Sequence, residues 1–230
     1  MKKYKGKLFS ILGDSISTLE GYSVPRDAVY YKEDKASSAK VFEPCDTWWG
    51  QVIDYLGGKL LVNDSVSSSL VSKHKKCQAE TFGCSDERTS YLDKAGDMPD
   101  VIFVFMGMND WGWATKLRPE CETENDNISI FSVAYDLMLK KLRKNYPSAE
   151  IWCFTLPNSI CKAKPYFIFE PVRGGIHIND YCQVIRDLAK EHSCRLIELF
   201  GVGEPHDSID GYHPNKEGMK TLVDKIIGQL

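Results

Sequence analysis

The chain has 230 residues, with 29 Lys and Arg against 32 Asp and Glu, for a formal charge of -3. That length suffices for one α/β domain spanning residues 1–230, with no second domain required. The near-neutral balance argues against nucleic acid or an anionic membrane as the main partner, and no apolar run approaches the roughly 20 residues that span a bilayer.

The amino terminus, Met1 to Lys7, is basic, but the apolar segment after it stops at Asp14. It reads as a buried strand, Leu8 to Leu12, rather than a signal peptide, so a cytoplasmic location is expected unless a leader precedes it. The strand runs into Gly13-Asp14-Ser15, which leaves the Ser15 hydroxyl at the carboxyl edge where open α/β sheets place ligands. The stretch from Gly21 to Asp46, rich in Tyr and charge, breaks the alternation of elements and is expected to run over that edge. A helix follows from Thr47 to Tyr55, with Trp48, Val52 and Tyr55 on one face and Gly57-Gly58 as its stop. The strand Lys59 to Val62 leads into a turn, Asn63 to Ser69, full of small residues. The basic cluster Lys73-His74-Lys75-Lys76 reads as a solvated loop.

A third strand, Val101 to Met106, ends in Gly107-Met108-Asn109-Asp110. Phe131 to Tyr146 is an amphipathic helix with cations near its carboxyl end, where they complement the dipole. A strand at Ile151 to Leu156, a helix at Ile178 to His192 and a strand at Leu196 to Phe200 come next. Asp210-Gly211-Tyr212-His213-Pro214-Asn215 then precedes a last helix, Lys216 to Ile227. The strands are nearly continuous in apolar residues, as strands covered on both faces are. Their alternation with helices predicts a mainly parallel five-stranded sheet in a three-layer α/β/α arrangement.

Acyl transfer by serine needs an activated hydroxyl, a base within reach and donors aimed at the developing oxyanion. Ser15 is the candidate nucleophile, His213 the base, and Asp210 the carboxylate that orients it, three residues away within one turn. Gly107 allows close backbone approach, and the Asn109 amide is a candidate oxyanion donor. Asp110 could compete as the triad acid, but it and Asp14 are read as supports that hydrogen-bond loop backbone, and Trp111 and Trp113 as pocket walls or as packing beneath the loop. Arg88 either meets an anionic substrate or pairs internally with Asp86 or Glu87.

Gly13-Asp14-Ser15, the small-residue turn after the second strand, Gly107-Met108-Asn109-Asp110 and Asp210-Gly211-Tyr212-His213 stand in the order of the SGNH/GDSL hydrolases, and the chain resembles that family over most of its length. Thr47-Trp48-Trp49 and Gly83 to Thr89 resemble its bacterial members. The resemblance implies a flavodoxin-like fold, esterase, lipase, deacetylase or thioesterase activity, and no metal or organic cofactor. It also implies an oxyanion hole from the Ser15 N–H, the N–H of a second-block glycine and the Asn109 side chain. Aligned on Asn63, Ser68 stands where that glycine is usual; if the turn requires φ > 0, serine costs about 1 kcal/mol or more there.

The eight cysteines are scattered without a Cys-x-x-Cys pair, so reduced, mostly buried thiols are expected, although Cys77 and Cys84 could approach across a loop. His206 and Asp207 lie close enough to Asp210 and His213 in sequence to suggest metal ligands, but the hydrolase pattern accounts for the latter pair without one. His74, His177 and His192 have no partner visible in sequence. The expected function is a serine esterase for small carboxylic esters, acetyl or short acyl, with a lean towards carbohydrate substrates. A thioesterase or short-chain lipase would use the same residues. A non-catalytic carbohydrate-binding protein of the same fold is the alternative from another class, and a nucleotide-binding fold lacks its Gly-x-Gly-x-x-Gly turn. Oligomeric state is not readable from the sequence.

Overall fold

A computed structural model of the chain describes residues 3–24, 28–74 and 82–230. The strands are β1 (Leu8–Gly13), β2 (Lys59–Ser65), β3 (Val101–Phe105), β4 (Glu150–Phe154), β5 (Ser159–Ile160), β6 (Val172–Arg173), β7 (Ile176–His177), β8 (Arg195–Ile197) and β9 (His206–Asp207). The α-helices are α1 (Glu33–Ala39), α2 (Trp48–Leu56), α3 (Asp86–Thr89), α4 (Met108–Gly112), α5 (Phe131–Asn145), α6 (Ile178–Glu191) and α7 (Lys216–Ile227). Five strands form one parallel sheet in the order β2-β1-β3-β4-β8. This doubly wound order places a topological switch point between β1 and β3, where ligands bind outside the carboxyl ends of the strands.

Period-two alternation along the strands divides the core between two faces. Leu12, Ile102, Val104, Ile151 and Cys153 pack against Tyr135, Met138 and Leu139 of α5 and Val184 and Ile185 of α6. Phe9, Ile11, Phe103, Phe105, Trp152 and Phe154 pack against Trp48 and Val52 of α2 and Leu222 and Ile226 of α7. The expected five strands and four long helices are therefore all present, with ends displaced by a few residues. The largest displacement is in β8, which stops at Ile197 although Leu196 to Phe200 is apolar in pattern. Beyond Ile197 the backbone leaves the ladder: the Glu198 N–H donates to Gln229 Oε1 and those of Leu199 and Phe200 donate to Thr155 Oγ1.

Two sequence features serve the first strand-end turn. A 3₁₀ turn at Ser15–Ser17 follows β1. Trp48 Nε1 donates to Ser17 Oγ at 3.1 Å, while Trp49 Nε1 and Asn63 Nδ2 donate to the Ser17 carbonyl at 3.0 and 2.9 Å. The Thr47-Trp48-Trp49 run thus starts α2, with Thr47 capping the Gly50 N–H, and clamps the turn that carries Ser15.

Arg88 is the largest departure from the sequence reading. It is fully buried and pairs with Asp64 of β2 at 2.9 Å, not with Asp86 or Glu87 beside it. Its guanidinium also donates to the carbonyls of Gly13 and Asp64 and to Ser69 Oγ. Asp86 pairs with Lys141 instead. A planar fork of donors suits this multi-point role, because the carbonyls at two strand ends converge on one group.

Cys45 and Cys121 are exposed, Cys84, Cys153, Cys161 and Cys182 are buried, Cys194 is partly buried, and all are free thiols. Cys77 lies outside the described residues, as do Lys75, Lys76 and the first two residues. Among the described residues, no helix is long and apolar enough to cross a membrane.

Removing one partner of a buried ion pair leaves an uncompensated charge, at a cost of about 3–5 kcal/mol. Arg88→Met is therefore expected to lower the thermal midpoint by on the order of 10 °C in calorimetry. The double variant Arg88→Met/Asp64→Leu should recover part of that loss; a double variant less stable than the single one would contradict the pairing.

Candidate active site

The carboxyl ends of β1, β2 and β3 and the loop before α7 bring the sequence blocks together. Ser15, nearly buried in the first 3₁₀ turn, lies with its Oγ 2.9 Å from His213 Nε2, across 198 residues of sequence. His213 Nδ1 is 2.7 Å from Asp210 Oδ2, and the other carboxylate oxygen accepts the N–H groups of Tyr212 and His213 at 3.0 and 2.9 Å. Burial pushes the Asp210 carboxyl up, but the hydrogen bond and charge of His213, its N–H and the Tyr30 hydroxyl outweigh this and hold it well below the usual range. An ionised Asp210 fixes the tautomer: Nδ1 carries the proton, and Nε2 accepts from Ser15 Oγ.

The loop that carries Asp210 and His213 is held from behind. Ser159 Oγ donates to the Gly211 carbonyl, Ser208 Oγ accepts the Gly211 N–H at 2.9 Å, and His206 Nε2 lies 3.1 Å from the Tyr212 carbonyl. Gly211 has φ +105°, and a Cβ there would come within 2.2 Å of the Phe167 ring, so both conformation and space require glycine. His206 is fully buried, and that burial lowers its pKa to about 4. Asp207 caps the Lys162 and Ser208 N–H groups and accepts from Asn215 Nδ2. His206 and Asp207 thus sit in the β5–β9 ladder and the base of α7 as framework residues.

A cavity of about 260 Å³ opens at Ser15 and His213, walled by Asn109, Trp111, Trp113 and Tyr212. Asn109 sits in the first turn of α4, whose start follows Gly107 at φ +121°, a conformation that L side chains rarely adopt. Asn109 Nδ2 donates to the Ser69 carbonyl at 3.0 Å, which uses one of its two N–H groups. Trp111 answers both sequence alternatives: it lines the cavity, yet it is almost fully buried, donates to the Pro171 carbonyl and stacks on Phe169 at 5.3 Å. Trp113 lines the cavity with about half its surface exposed.

Ser68 adopts φ +64°, the left-handed conformation that glycine takes without strain, and it is exposed on the turn after β2. Asp110, fully buried, accepts the N–H groups of Val71 and Ser72 and the Ser72 hydroxyl, so it pins the second-strand loop to α4 and makes no contact with His213. Burial pushes its carboxyl up to about 6, with the Ser72 and Val71 donors opposing. Asp14 Oδ1 accepts the Ile16 N–H, while Oδ2 is buried without a hydrogen-bond partner. Burial pushes this carboxyl up to about 7, partly offset by the Ile16 N–H and reinforced by Asp110.

One residue was not singled out in the sequence. Tyr30, from the Gly21 to Asp46 excursion, stacks on the His213 ring with centroids 3.5 Å apart and planes 11° from parallel. Its hydroxyl donates to Asp210 Oδ2 at 2.6 Å, the oxygen that also meets His213 Nδ1. The aromatic richness of the excursion was the available signal, but no local pattern distinguishes Tyr30 from Tyr31, which donates to the Pro214 carbonyl instead. Of the other histidines, His177 caps α6 through the Asn179 N–H, and His192 Nε2 lies 2.7 Å from Asp136 Oδ1.

Residues 7–230 match the family described as GDSL-like Lipase/Acylhydrolase. The chain belongs to this family. It is therefore a hydrolase of ester substrates. The sequence matches none of the curated proteins. Among solved structures, a putative GDSL-like lipase from Bacteroides ovatus is 25% identical with a TM-score of 0.72, covering 98% of each chain. A second, from Bacteroides uniformis, is 22% identical with a TM-score of 0.72, over 98% of this chain and 95% of that one. A carbohydrate esterase family 2 enzyme from Corynascus thermopiles, solved with its carbohydrate binding domain, is 15% identical with a TM-score of 0.62, over 100% of this chain and 67% of that one. The last two share the fold of this GDSL-like hydrolase.

The raised Asp14 carboxyl has a consequence for stability. The folded state holds this proton to about pH 7, whereas an unfolded Asp loses it near pH 3.8. Its contribution is therefore fully present below that value and is lost as pH rises through about 7. Asp14→Asn is expected to gain about 2–3 kcal/mol relative to wild type between pH 5 and pH 8 in urea unfolding. A pH-independent difference would show that Asp14 titrates normally.

Proposed function

We propose that this protein is a serine esterase that hydrolyses small carboxylic esters through Ser15, His213 and Asp210 by way of an acyl-enzyme. The observation that carries the reading is the unbroken chain of contacts from Ser15 Oγ to His213 Nε2 at 2.9 Å and from His213 Nδ1 to Asp210 at 2.7 Å. In the first half-reaction Ser15 Oγ attacks the ester carbonyl while His213 takes its proton and then returns it to the departing alkoxide. Water repeats the sequence on the acyl-enzyme, again with His213 as base, and releases the acid and free Ser15. Asp210 stays ionised and stabilises the imidazolium formed in each step.

The oxyanion is assigned to the N–H groups of Ser15 and Ser68 and the second N–H of Asn109. The anchoring of Asn109 on Ser69 supports this, since a donor fixed in advance costs no reorganisation as charge develops. The left-handed φ at Ser68 supports a strained but formed turn, with serine in a role that glycine fills more cheaply. The cavity volume favours acetyl or short acyl groups, and its Trp111, Trp113 and Tyr212 walls suit a sugar face. Tyr30 is assigned as a positioning residue. Its ring holds the imidazole plane, and its hydroxyl helps to keep Asp210 ionised and in place.

Nitrophenyl esters from acetate to long acyl chains test this assignment. Hydrolysis should fall as the acyl chain lengthens, and Ser15→Ala should lose on the order of 10⁴-fold in kcat/KM. Equal, negligible rates for both proteins would instead favour a binding role. Tyr30→Phe keeps the stack but removes the donor to Asp210. Its kcat should fall by on the order of 10-fold with KM little changed, as a hydrogen bond to a charged group is lost. An unchanged kcat would assign Tyr30 a packing role only.

A further inference from the structure

We propose that Arg173 forms an anion subsite in the Ser15 cavity, so that the preferred substrates are small esters that themselves carry a carboxylate. The inference rests on the esterase reading of Ser15 and adds the chemical class of the substrate. Among the described residues lining the cavity, Arg173 carries the one full charge, and none is Asp or Glu. A carboxylate entering it meets a guanidinium and no opposing acid wall, in a protein whose net charge of -3 offers anions no general attraction.

The guanidinium is fixed in place before any ligand arrives. Arg173 ends the short strand β6, paired antiparallel with β7 through a Gly174-Gly175 turn. The turn lies tight on the end of α4: a Cβ on Gly174 would come within 2.5 Å of Ala114 Cβ. One Nη donates to the Tyr212 hydroxyl at 2.6 Å, and the guanidinium carbon lies 5.5 Å from the centroid of the Trp111 ring. Trp111 is itself held by Pro171 and Phe169, so the cation rests on a rigid aromatic platform. Neither partner cancels its charge, because Tyr212 offers a neutral phenol and Trp111 a ring face. Its ion-pair partner, Glu170, stands at 4.0 Å with 73% of its side chain exposed, where screening leaves such a pair worth little. The remaining donors of the fork match a carboxylate, which a guanidinium binds through two parallel hydrogen bonds. Because Ser15 and Arg173 line one small cavity, the carboxylate and the scissile ester must belong to the same compact molecule.

Two pairs of esters distinguish an acyl-side from an alcohol-side carboxylate. The first compares 4-nitrophenyl hemiglutarate with the neutral butyrate ester, and the second acetylated glucuronic acid with acetylated glucose. Wild type is expected to prefer the charged member of one pair, and that pair names the side. In Arg173→Gln the charged-to-neutral ratio of kcat/KM should fall by about 10- to 100-fold, mainly through KM, with Arg173→Lys intermediate. An Arg173→Gln variant that loses both members equally, or a wild type that hydrolyses these esters yet prefers neither charged one, overturns the subsite. Binding of monomethyl glutarate to Ser15→Ala, followed by tryptophan fluorescence with and without Arg173→Gln, separates the two readings. Arg173-dependent binding without turnover of any ester by wild type would keep the subsite and reject the esterase. Ser15-dependent turnover without charge preference or Arg173-dependent binding would do the reverse.

Discussion

The buried Arg88 guanidinium is the constraint on which the site geometry depends. It gathers the Gly13 carbonyl at the end of β1, the Asp64 carbonyl and carboxylate at the end of β2, and the Ser69 hydroxyl in the turn beyond. Parallel strands end with unsatisfied backbone groups, and a buried carbonyl without a donor is costly. One planar cation satisfies several of them together and so fixes the distance between the turn that carries Ser15 and the turn that carries Ser68. The net stability of a buried pair against an apolar replacement is small or negative, so its value here lies in specifying one arrangement of the strand ends.

Around that anchor, successive layers hold the reacting groups. Trp48, Trp49 and Asn63 fix the Ser15 turn from the α2 side, and Asp110 ties the second-strand loop to α4. Asn109, carried on α4, then reaches back to the Ser69 carbonyl. Ser159, Ser208 and His206 secure the loop of Asp210 and His213 from below, while Tyr30 covers it from above. Ser68 is strained at φ +64°, while Gly107 and Gly211 supply the positive φ of +121° and +105° that their turns need. Such conformations persist because the surrounding contacts over-determine them. The buried Asp14 carboxyl beside Ser15, with one oxygen unpartnered, is a further local cost that the fold carries at its functional edge.

Much of this architecture is legible in the sequence. Apolar runs of strand length and amphipathic helices report burial directly, so the parallel sheet and the four long helices followed from pattern alone. The blocks at Ser15, Asn109 and Asp210 to His213 were readable because strand ends in such sheets converge on one edge. The end of β8 is not legible in the pattern, because Leu199 and Phe200 stay apolar while the N–H groups from Glu198 to Phe200 turn to Gln229 and Thr155. The partner of Arg88 is not legible in the sequence, where Asp86 and Glu87 are its neighbours, because Asp64 reaches it only across the folded strand ends.

Sequence by itself therefore determined the layer architecture, the family and the residue types at the candidate site, since periodicity and strand-end motifs are local properties of the chain. Tertiary structure alone decided that Tyr30 stacks on His213, that Arg88 is framework rather than ligand-facing, and that Arg173 shares a cavity with Ser15. Each of these is a contact between segments far apart in sequence. Its partners are selected by packing and by the satisfaction of buried polar groups, and neither leaves a periodic trace in the chain.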